Sequence, residues 1–287
     1  MAACGGGDAV DEGPFAYDAG RPLSTADRGV VDDDYPIAVH DVSYASGDDT
    51  IEAFLSVPPG EVRRPAVVYV HGAGSTRDSM MGPALWLAAR GAVTLAITAP
   101  SSTATAPAVT GALDRLRWQR SLEIRDVIAV RRAVDLLTGR DDVDPDRIGF
   151  VGWSAGARAG AIISGVEPRF HALVLISGGS APVSEFVQAA PPELRPEVEE
   201  TMSSIDPLRY IAQARPGSLL LQDGRRDAVI PLKALQALID AAPKNTDVRW
   251  YDAEHALGPV AYRDHMRWLE ERLGIVGPPV PGAMTGP

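Results

Sequence analysis

The most constraining feature of the sequence is a serine between two glycines, where an apolar run meets a stretch of small residues. Ser154 is the centre of Gly152-Trp153-Ser154-Ala155-Gly156, which follows the apolar run 148–151 and precedes the small residues 157–165. The pattern predicts a strand, a sharp turn and a helix, with the serine in a strained conformation that glycines two positions away can accommodate. It therefore predicts an exposed hydroxyl at a helix N-terminus, where the N–H of Ala155 faces developing negative charge.

Length and charge narrow the class of protein. The chain has 287 residues, of which 45% are hydrophobic, so it can bury the core of one large α/β domain. Its formal net charge of −11 argues against nucleic acid or an anionic membrane surface as a partner. No segment approaches the roughly 20 apolar residues that span a bilayer, so the sequence predicts no transmembrane segment.

The two ends of the chain differ in composition from the middle. Residues 1–35 are rich in Gly, Asp and Pro and predict a flexible linker, and the Pro- and Gly-rich residues 274–287 predict a disordered tail. Cys4 is the single cysteine, which excludes an intramolecular disulfide.

The residues around Cys4 bear on where in the cell the protein is located. Residues 1–7 resemble the end of a bacterial lipoprotein signal, with small residues before the cysteine and glycines after it. Cys4 is therefore a candidate lipid anchor, which would place the protein at the cell envelope, outside the cytoplasm. The alternative is a disordered tail with an incidental cysteine, and then a cytoplasmic protein.

Residues 36–273 predict a single catalytic domain of the α/β class. Alternating residues at 37–44 and 51–57 predict an antiparallel hairpin, and six short strands then alternate with helices. Such alternation builds a mostly parallel sheet with helices on both faces, here with eight strands and an antiparallel start. Residues 178–216 are a modest insertion, which we expect to form a small helical cap over the serine.

The expected general base is His255. It comes four residues after Tyr251, the end of the last predicted strand, and just before the final helix. Loops at the carboxyl ends of parallel strands are where ligand chemistry collects in such sheets. The other candidates are predicted to be structural or surface residues, namely His40, His171 and His265.

Two aspartates compete for the role of the acid that orients this histidine. Asp227 follows Gly224 by three residues and precedes a Val-Ile-Pro entry into a helix, whereas Asp223 lies closer to the end of the preceding strand. We favour Asp227 and keep Asp223 as the alternative. The acid would accept the histidine N–H, fix its tautomer and stabilise the imidazolium.

A second oxyanion donor is expected in the loop after the strand 66–70. This loop reads His71-Gly72-Ala73-Gly74-Ser75, and its small residues allow the backbone to approach a tetrahedral oxygen. We expect the N–H of Ala73 to act with that of Ala155, with Gly74 as the second choice. His71 is predicted to shape the loop. A phosphate-binding role is disfavoured, because the loop lacks the lysine and spacing of a P-loop.

Taken in chain order, the 71–74 loop, the serine pentapeptide, Asp227 and His255 resemble the α/β-hydrolase superfamily. The resemblance covers about residues 36–273 and is closest to small serine esterases of the dienelactone-hydrolase-like kind. Dienelactone hydrolases proper use a cysteine nucleophile, whereas this chain has Ser154. The resemblance implies an acyl-enzyme mechanism with a small-molecule ester as substrate and no metal or organic cofactor.

Substrate size and class are less constrained by the sequence. Gly74, Met80, Trp153 and Phe186 are candidate pocket residues, and an ordinary core role is the alternative for the large ones. The leading hypothesis is a carboxylesterase for small to medium acyl groups. Two alternatives stay open, a serine peptidase or amidase of the oligopeptidase type and a non-catalytic binding protein with the same fold. The sequence leaves the oligomeric state undetermined.

Overall fold

The computed structural model describes residues 12–32, 35, 37–108 and 111–277. Cys4 and its glycine-rich surroundings lie outside these described residues, so the lipid-anchor prediction is not addressed. The described residues form one nine-stranded sheet in the order β1-β2-β3-β5-β4-β6-β7-β8-β9. Strands β1 to β3 and the β3–β5 pair are antiparallel, and all later pairs are parallel. The predicted α/β class, mostly parallel with an antiparallel start, is confirmed.

The strands are bounded as follows: β1 Ala26–Asp32, β2 Val39–Ser46, β3 Asp49–Ser56, β4 Arg64–Val70, β5 Val93–Ile97, β6 Val143–Trp153, β7 Phe170–Ile176, β8 Leu219–Gly224 and β9 Asp247–Tyr251. The α-helices are α1 Met81–Ala89, α2 Pro100–Thr103, α3 Ala112–Thr138, α4 Ala155–Val166, α5 Val183–Ala189, α6 Arg195–Ser203, α7 Pro207–Ile211, α8 Leu232–Ala241 and α9 Pro259–Leu273. Short 3-10 turns occur at Gly13–Phe15, Arg77–Met80 and Pro192–Leu194.

The central strands are apolar throughout because both faces of the sheet are covered. Successive side chains of β4 point to opposite sides, so Val68 and Val70 pack in one hydrophobic cluster and Val67 and Tyr69 in another. The first cluster includes buried residues of α3 and α4, and the second includes residues of α1 and α9. This covering of both faces explains why β4 reads as a continuous hydrophobic run.

The N-terminal segment differs from its prediction as a linker. Residues 12–32 pack on the domain and include β1, a strand that was not predicted and that brings the total from eight to nine. Phe15 is fully buried, and its carbonyl accepts a hydrogen bond from Arg131 at 2.8 Å. The Arg132 side chain, 3% exposed, donates to the carbonyls of Ala19 at 3.3 Å and Arg21 at 2.5 Å. We call these contacts of Arg131 and Arg132 the arginine clasp.

The beginning of the predicted C-terminal tail is also packed. Ile275 is buried in the cluster formed by α1 and α9, and the carbonyl of Gly277 accepts a hydrogen bond from Arg90 at 2.7 Å. The predicted start of the tail at residue 274 is therefore too early by at least four residues, because an apolar side chain follows the end of α9. Residues 278–287 lie outside the part of the chain that the structure describes.

The segment predicted as a cap, 178–216, contains α5, the 3-10 turn at Pro192–Leu194, α6 and α7. Helix α7 packs against α4, and α6 packs against both α5 and α3. A covering role over Ser154 stays a prediction. Among the described residues, no helix is both long and apolar enough to cross a membrane.

The arginine clasp predicts a stability effect. Replacing Arg132 with Met keeps the apolar stem but removes the donor to the Ala19 and Arg21 carbonyls and one cation beside the mostly buried Asp135 carboxylate, so we expect a loss on the order of 2 kcal/mol in unfolding free energy. Arg117→Met is the matched control, because Arg117 lies on the same helix, is 57% exposed and pairs only with Asp114 at 3.7 Å among the contacts of the described residues. Urea unfolding measures both changes. Equal stability of the two variants would contradict the proposed importance of the clasp.

Candidate functional site

The predicted turn at Ser154 joins the end of β6 to the start of α4. Ser154 has φ 55° and ψ −111°, outside the regions that a residue with a side chain normally occupies. Its N–H donates to the carbonyl of Ile176 at the end of the neighbouring β7, with a distance of 2.8 Å. The backbone of the turn is thus fixed by the adjacent strand, and strain of this kind is typical of functional sites.

Both glycines of the pentapeptide are required by close backbone contacts. A Cβ on Gly152 would overlap the carbonyl oxygen of Gly156, and a Cβ on Gly156 would overlap the carbonyl oxygen of Val70 in β4. The N–H of Gly156 also donates to the carbonyl of His71, at 3.1 Å. The first turn of α4 therefore lies directly against the end of β4, which brings the loop after β4 beside the serine.

Ser154, His255 and Asp227 form a continuous hydrogen-bonded path. His255 lies in the loop between β9 and α9, with Nε2 2.9 Å from Ser154 Oγ and Nδ1 2.8 Å from Asp227 Oδ2. Because the carboxylate can only accept, Nδ1 carries the proton and Nε2 is free to accept from the serine hydroxyl. The Asp227 side chain is fully buried, whereas that of His255 is 15% exposed.

The buried carboxylate of Asp227 is held by the backbone of its own loop. Its Oδ1 accepts the N–H groups of Val229 at 2.8 Å and Ile230 at 2.9 Å, so Oδ2 is directed at His255. The N–H groups of the same loop connect it to the histidine loop, since Arg226 donates to the carbonyl of Ala253 at 2.9 Å. The acid and base loops are therefore fastened to each other.

The alternative acid, Asp223, does not contact His255. It lies at the end of β8 and is 2% exposed, and its side chain makes no hydrogen bond among the described residues. Burial and the neighbouring Asp227 charge raise the pKa of Asp223 to about 7. The structure thus places Asp227 beside the histidine and leaves Asp223 as a buried carboxyl outside the path.

The loop after β4 presents unpaired N–H groups near the serine. The N–H of Ser75 bonds to the carbonyl of Gly72 at 3.2 Å, and Gly74 has φ 70°, as a β-turn with glycine at its third position requires. Within the described part of the chain, no acceptor is found for the N–H groups of Ala73 and Ala155. A Cβ on Gly72 would lie 3.3 Å from the Cβ of Ser154, which shows how closely this loop approaches the serine.

His71 is buried and holds the loop in place. Its Nε2 accepts the N–H of Ala99 at 3.0 Å, so its Nδ1 carries the proton and donates to the carbonyl of Gly72 at 2.8 Å. Burial lowers the pKa of His71 and favours the neutral ring. This geometry agrees with the prediction that His71 shapes the loop.

The predicted pocket residues lie in different environments. The Trp153 ring is 5.5 Å from the His255 ring, and its Nε1 lies 3.4 Å from the His255 carbonyl. Met80 is buried in the core cluster with residues of α1, which is the alternative role given above, and Phe186 is half-buried on α5. The exposed Gly74 is in the loop after β4. A role of these residues in substrate binding stays a prediction.

Two features near the site were missed in the sequence. Ser177, the residue after β7, donates its hydroxyl to the His255 carbonyl at 2.9 Å. Gln222 on β8 bonds to His265 at 2.8 Å and to the Tyr251 hydroxyl at 2.7 Å, and so joins α9 and β9 to β8. Burial lowers the pKa of His265 to about 3, consistent with its predicted structural role. A serine directly before Gly178-Gly179 at a strand end was the available signal for Ser177.

The buried Asp223 predicts a dependence of stability on pH. From its ordinary pKa of 3.8 up to about 7 the unfolded chain has lost this proton and the folded chain keeps it. Stability therefore falls as pH rises through this window. Asp223→Asn should remove that fall, so variant and wild type differ little below pH about 4 and the variant is more stable above pH about 7. Thermal unfolding at several pH values tests this, and parallel curves would refute the assignment.

No protein-family model matches the sequence, and no match is found among curated proteins. Solved structures do match. An acetyl xylan esterase from Paenibacillus sp. R4 is 22% identical with a TM-score of 0.70, covering 88% of this chain and 90% of that one. Acetyl xylan esterase 1 from Thermoanaerobacterium sp. JW/SL YS485 is 18% identical with a TM-score of 0.72, covering 91% and 90%.

An S-formylglutathione hydrolase from Agrobacterium tumefaciens is also similar, with 18% identity, a TM-score of 0.61 and coverage of 86% of this chain and 99% of that one. These similarities extend over most of each chain. The chain has the α/β-hydrolase fold.

Proposed function

We propose that the protein is a serine hydrolase that cleaves carboxylic esters through an acyl-enzyme. The observation that carries the proposal is the hydrogen-bonded path from Ser154 through His255 to Asp227, with distances of 2.9 and 2.8 Å. Ser154 is the nucleophile, His255 the general base and acid, and Asp227 the group that orients the histidine. The strained turn supports this assignment because it holds the serine hydroxyl at the start of α4.

The proposed acylation step uses the existing hydrogen bonds. Nε2 of His255 takes the proton of Ser154 as Oγ bonds to the ester carbonyl carbon, and the carbonyl electrons move to oxygen. The imidazolium is stabilised by Asp227. When the tetrahedral intermediate collapses, the bond to the leaving oxygen breaks and His255 gives that oxygen its proton. Water then repeats the sequence on the acyl-enzyme and releases the acid.

The N–H groups of Ala73 and Ala155 are the proposed oxyanion donors. Both lack an acceptor among the described residues, and Ala155 is the first residue of α4, where the helix dipole favours negative charge. A single donor of this kind lowers the barrier by about 3 to 4 kcal/mol. His71 supports the arrangement because its ring bonds to Gly72 and Ala99 fix the loop that carries Ala73.

Small acyl groups are the proposed substrates. The similar structures are named for acetyl xylan and S-formylglutathione, and this chain covers at least 90% of each of them. The esterase and hydrolase names of these structures favour an esterase over a peptidase of the oligopeptidase type. Acetyl esters are therefore the first class to test, with small to medium acyl groups as the wider range.

Replacing Ser154 with Ala tests the nucleophile. We expect the wild type to react with a fluorophosphonate probe at Ser154 and to hydrolyse p-nitrophenyl esters, with turnover falling from acetate to octanoate. Ser154→Ala should lose both reactions while unfolding at the same temperature, because only the Oγ atom is removed. Ser121→Ala is the control, since the hydroxyl of this exposed serine on α3 bonds only to the Trp118 carbonyl among described residues. A wild type that neither labels nor turns over would favour the binding-protein alternative.

The two aspartates provide a matched pair for the acid. Asp227→Asn keeps the shape of the side chain but favours the wrong histidine tautomer, so we expect kcat to fall by about 10⁴-fold. Asp223→Asn should keep kcat within about tenfold of wild type, because Asp223 has no contact with His255. Steady-state kinetics on p-nitrophenyl acetate separate the two. A larger loss in the Asp223 variant would exchange the proposed roles.

A further inference from the structure

Ser177 lies where three strand ends meet. It follows β7 directly, and its N–H donates to the carbonyl of Gln222 in β8 at 2.8 Å. The carbonyl of the preceding residue, Ile176, accepts the N–H of Ser154 at the end of β6, also at 2.8 Å. The residue is fully buried. Its backbone is thus tied to the nucleophile turn on one side and to the strand before the acid loop on the other.

The backbone conformation of Ser177 is one that favours glycine. Its φ is 51°, and within the described part of the chain only Ser24 and Ser154 share a positive φ among non-glycine residues. Glycine adopts this conformation without steric cost, and the next two residues are glycines. A serine at this position retains the strain, so the hydroxyl is the feature that a glycine could not supply.

The hydroxyl of Ser177 is directed at the backbone of the proposed general base. Its Oγ donates to the carbonyl oxygen of His255 at 2.9 Å, and the second donor to this oxygen, Trp153 Nε1, is more distant at 3.4 Å. From the loop that carries Asp227, Arg225 and Arg226 donate their N–H groups to the carbonyls of Tyr251 and Ala253, which precede His255. Of the two hydrogen bonds to the His255 carbonyl, the one from Ser177 is therefore the shorter.

We infer that Ser177 is a positioning residue that holds the His255 backbone so that Nε2 faces Ser154. The inference rests on the proposed function. A shift of the His255 carbonyl moves the whole residue, including the ring atom 2.9 Å from Ser154 Oγ. A displacement of about 1 Å in a catalytic group can cost about 100-fold in rate. Ser177 acts through His255 and does not itself touch the reacting atoms.

Two substitutions separate positioning from folding. Ser177→Ala removes the hydroxyl and keeps the strained backbone, whereas Ser177→Gly removes the hydroxyl and relieves the strain. We expect both variants to lower kcat by about tenfold with KM within about twofold, and to slow fluorophosphonate labelling of Ser154 by the same factor as kcat. Ser177→Gly should unfold at the same temperature as Ser177→Ala or higher. Activity and stability would then change independently.

Ser24→Gly is the matched control. It relieves the same kind of strain in an exposed serine, at φ 46°, in the segment before β1. We expect its kcat and labelling rate to equal those of the wild type. A change in Ser24→Gly as large as in Ser177→Gly would mean that relief of strain alone alters activity, and would overturn the inference.

A spectroscopic measurement tests the inference without turnover. The Nδ1 proton of His255, bonded to Asp227 at 2.8 Å, should give a low-field proton resonance in the wild type. In Ser177→Gly the resonance should broaden or shift, because a displaced ring exposes the proton to exchange. An unchanged resonance together with unchanged kcat overturns the inference. If the wild type lacks ester turnover, the proposed function fails, and the resonance still decides the role of Ser177.

Discussion

The site depends on one contact between main chains, the approach of the first turn of α4 to the end of β4. Gly156 lies so close to the Val70 carbonyl that no side chain fits between them, and its N–H bonds to the carbonyl of His71. This contact sets the distance between Ser154 and the loop that carries Ala73. A larger residue would separate the nucleophile from Ala73, one of its two proposed oxyanion donors, before it affected the core, because the sheet beneath is fixed by its own ladder of parallel strands.

The histidines near this contact differ in their burial and in their hydrogen-bond partners. His71 and His265 are buried, and burial lowers the pKa of each. The His71 ring is hydrogen-bonded to the Gly72 carbonyl and the His265 ring to the Gln222 side chain. His255 instead keeps 15% of its side chain exposed and shares its two ring nitrogens between a hydroxyl and a carboxylate. Of these three rings, His255 therefore has the geometry to gain and lose a proton during a reaction.

Local sequence patterns predicted the sheet and the linear motifs well, because strand burial and tight turns depend on neighbouring residues. All eight predicted strands are present, and Ser154, Asp227 and His255 meet as their order along the chain indicated. The arginine clasp could not be predicted in this way. The guanidinium of Arg132 binds carbonyls more than 100 residues away, and charged side chains on a helix usually indicate a solvated face. Ser177 was missed for a related reason, since its partner is a main-chain carbonyl 78 residues away, which has no sequence signature.

The arginine clasp also determines how the molecule would bear a mechanical load. The strand order places β1 at one edge of the sheet and β9 at the other, with five strands between β2 and β8. A force applied at residue 12 would first reach the bond between Glu12 and Arg131, and then α3. The loops that carry Asp227 and His255 lie at the opposite edge, after β8 and β9. Tension on the N-terminal segment would therefore pass to α3 and the antiparallel strands, and through the Arg131–Glu167 bond to α4, before it reached those two loops.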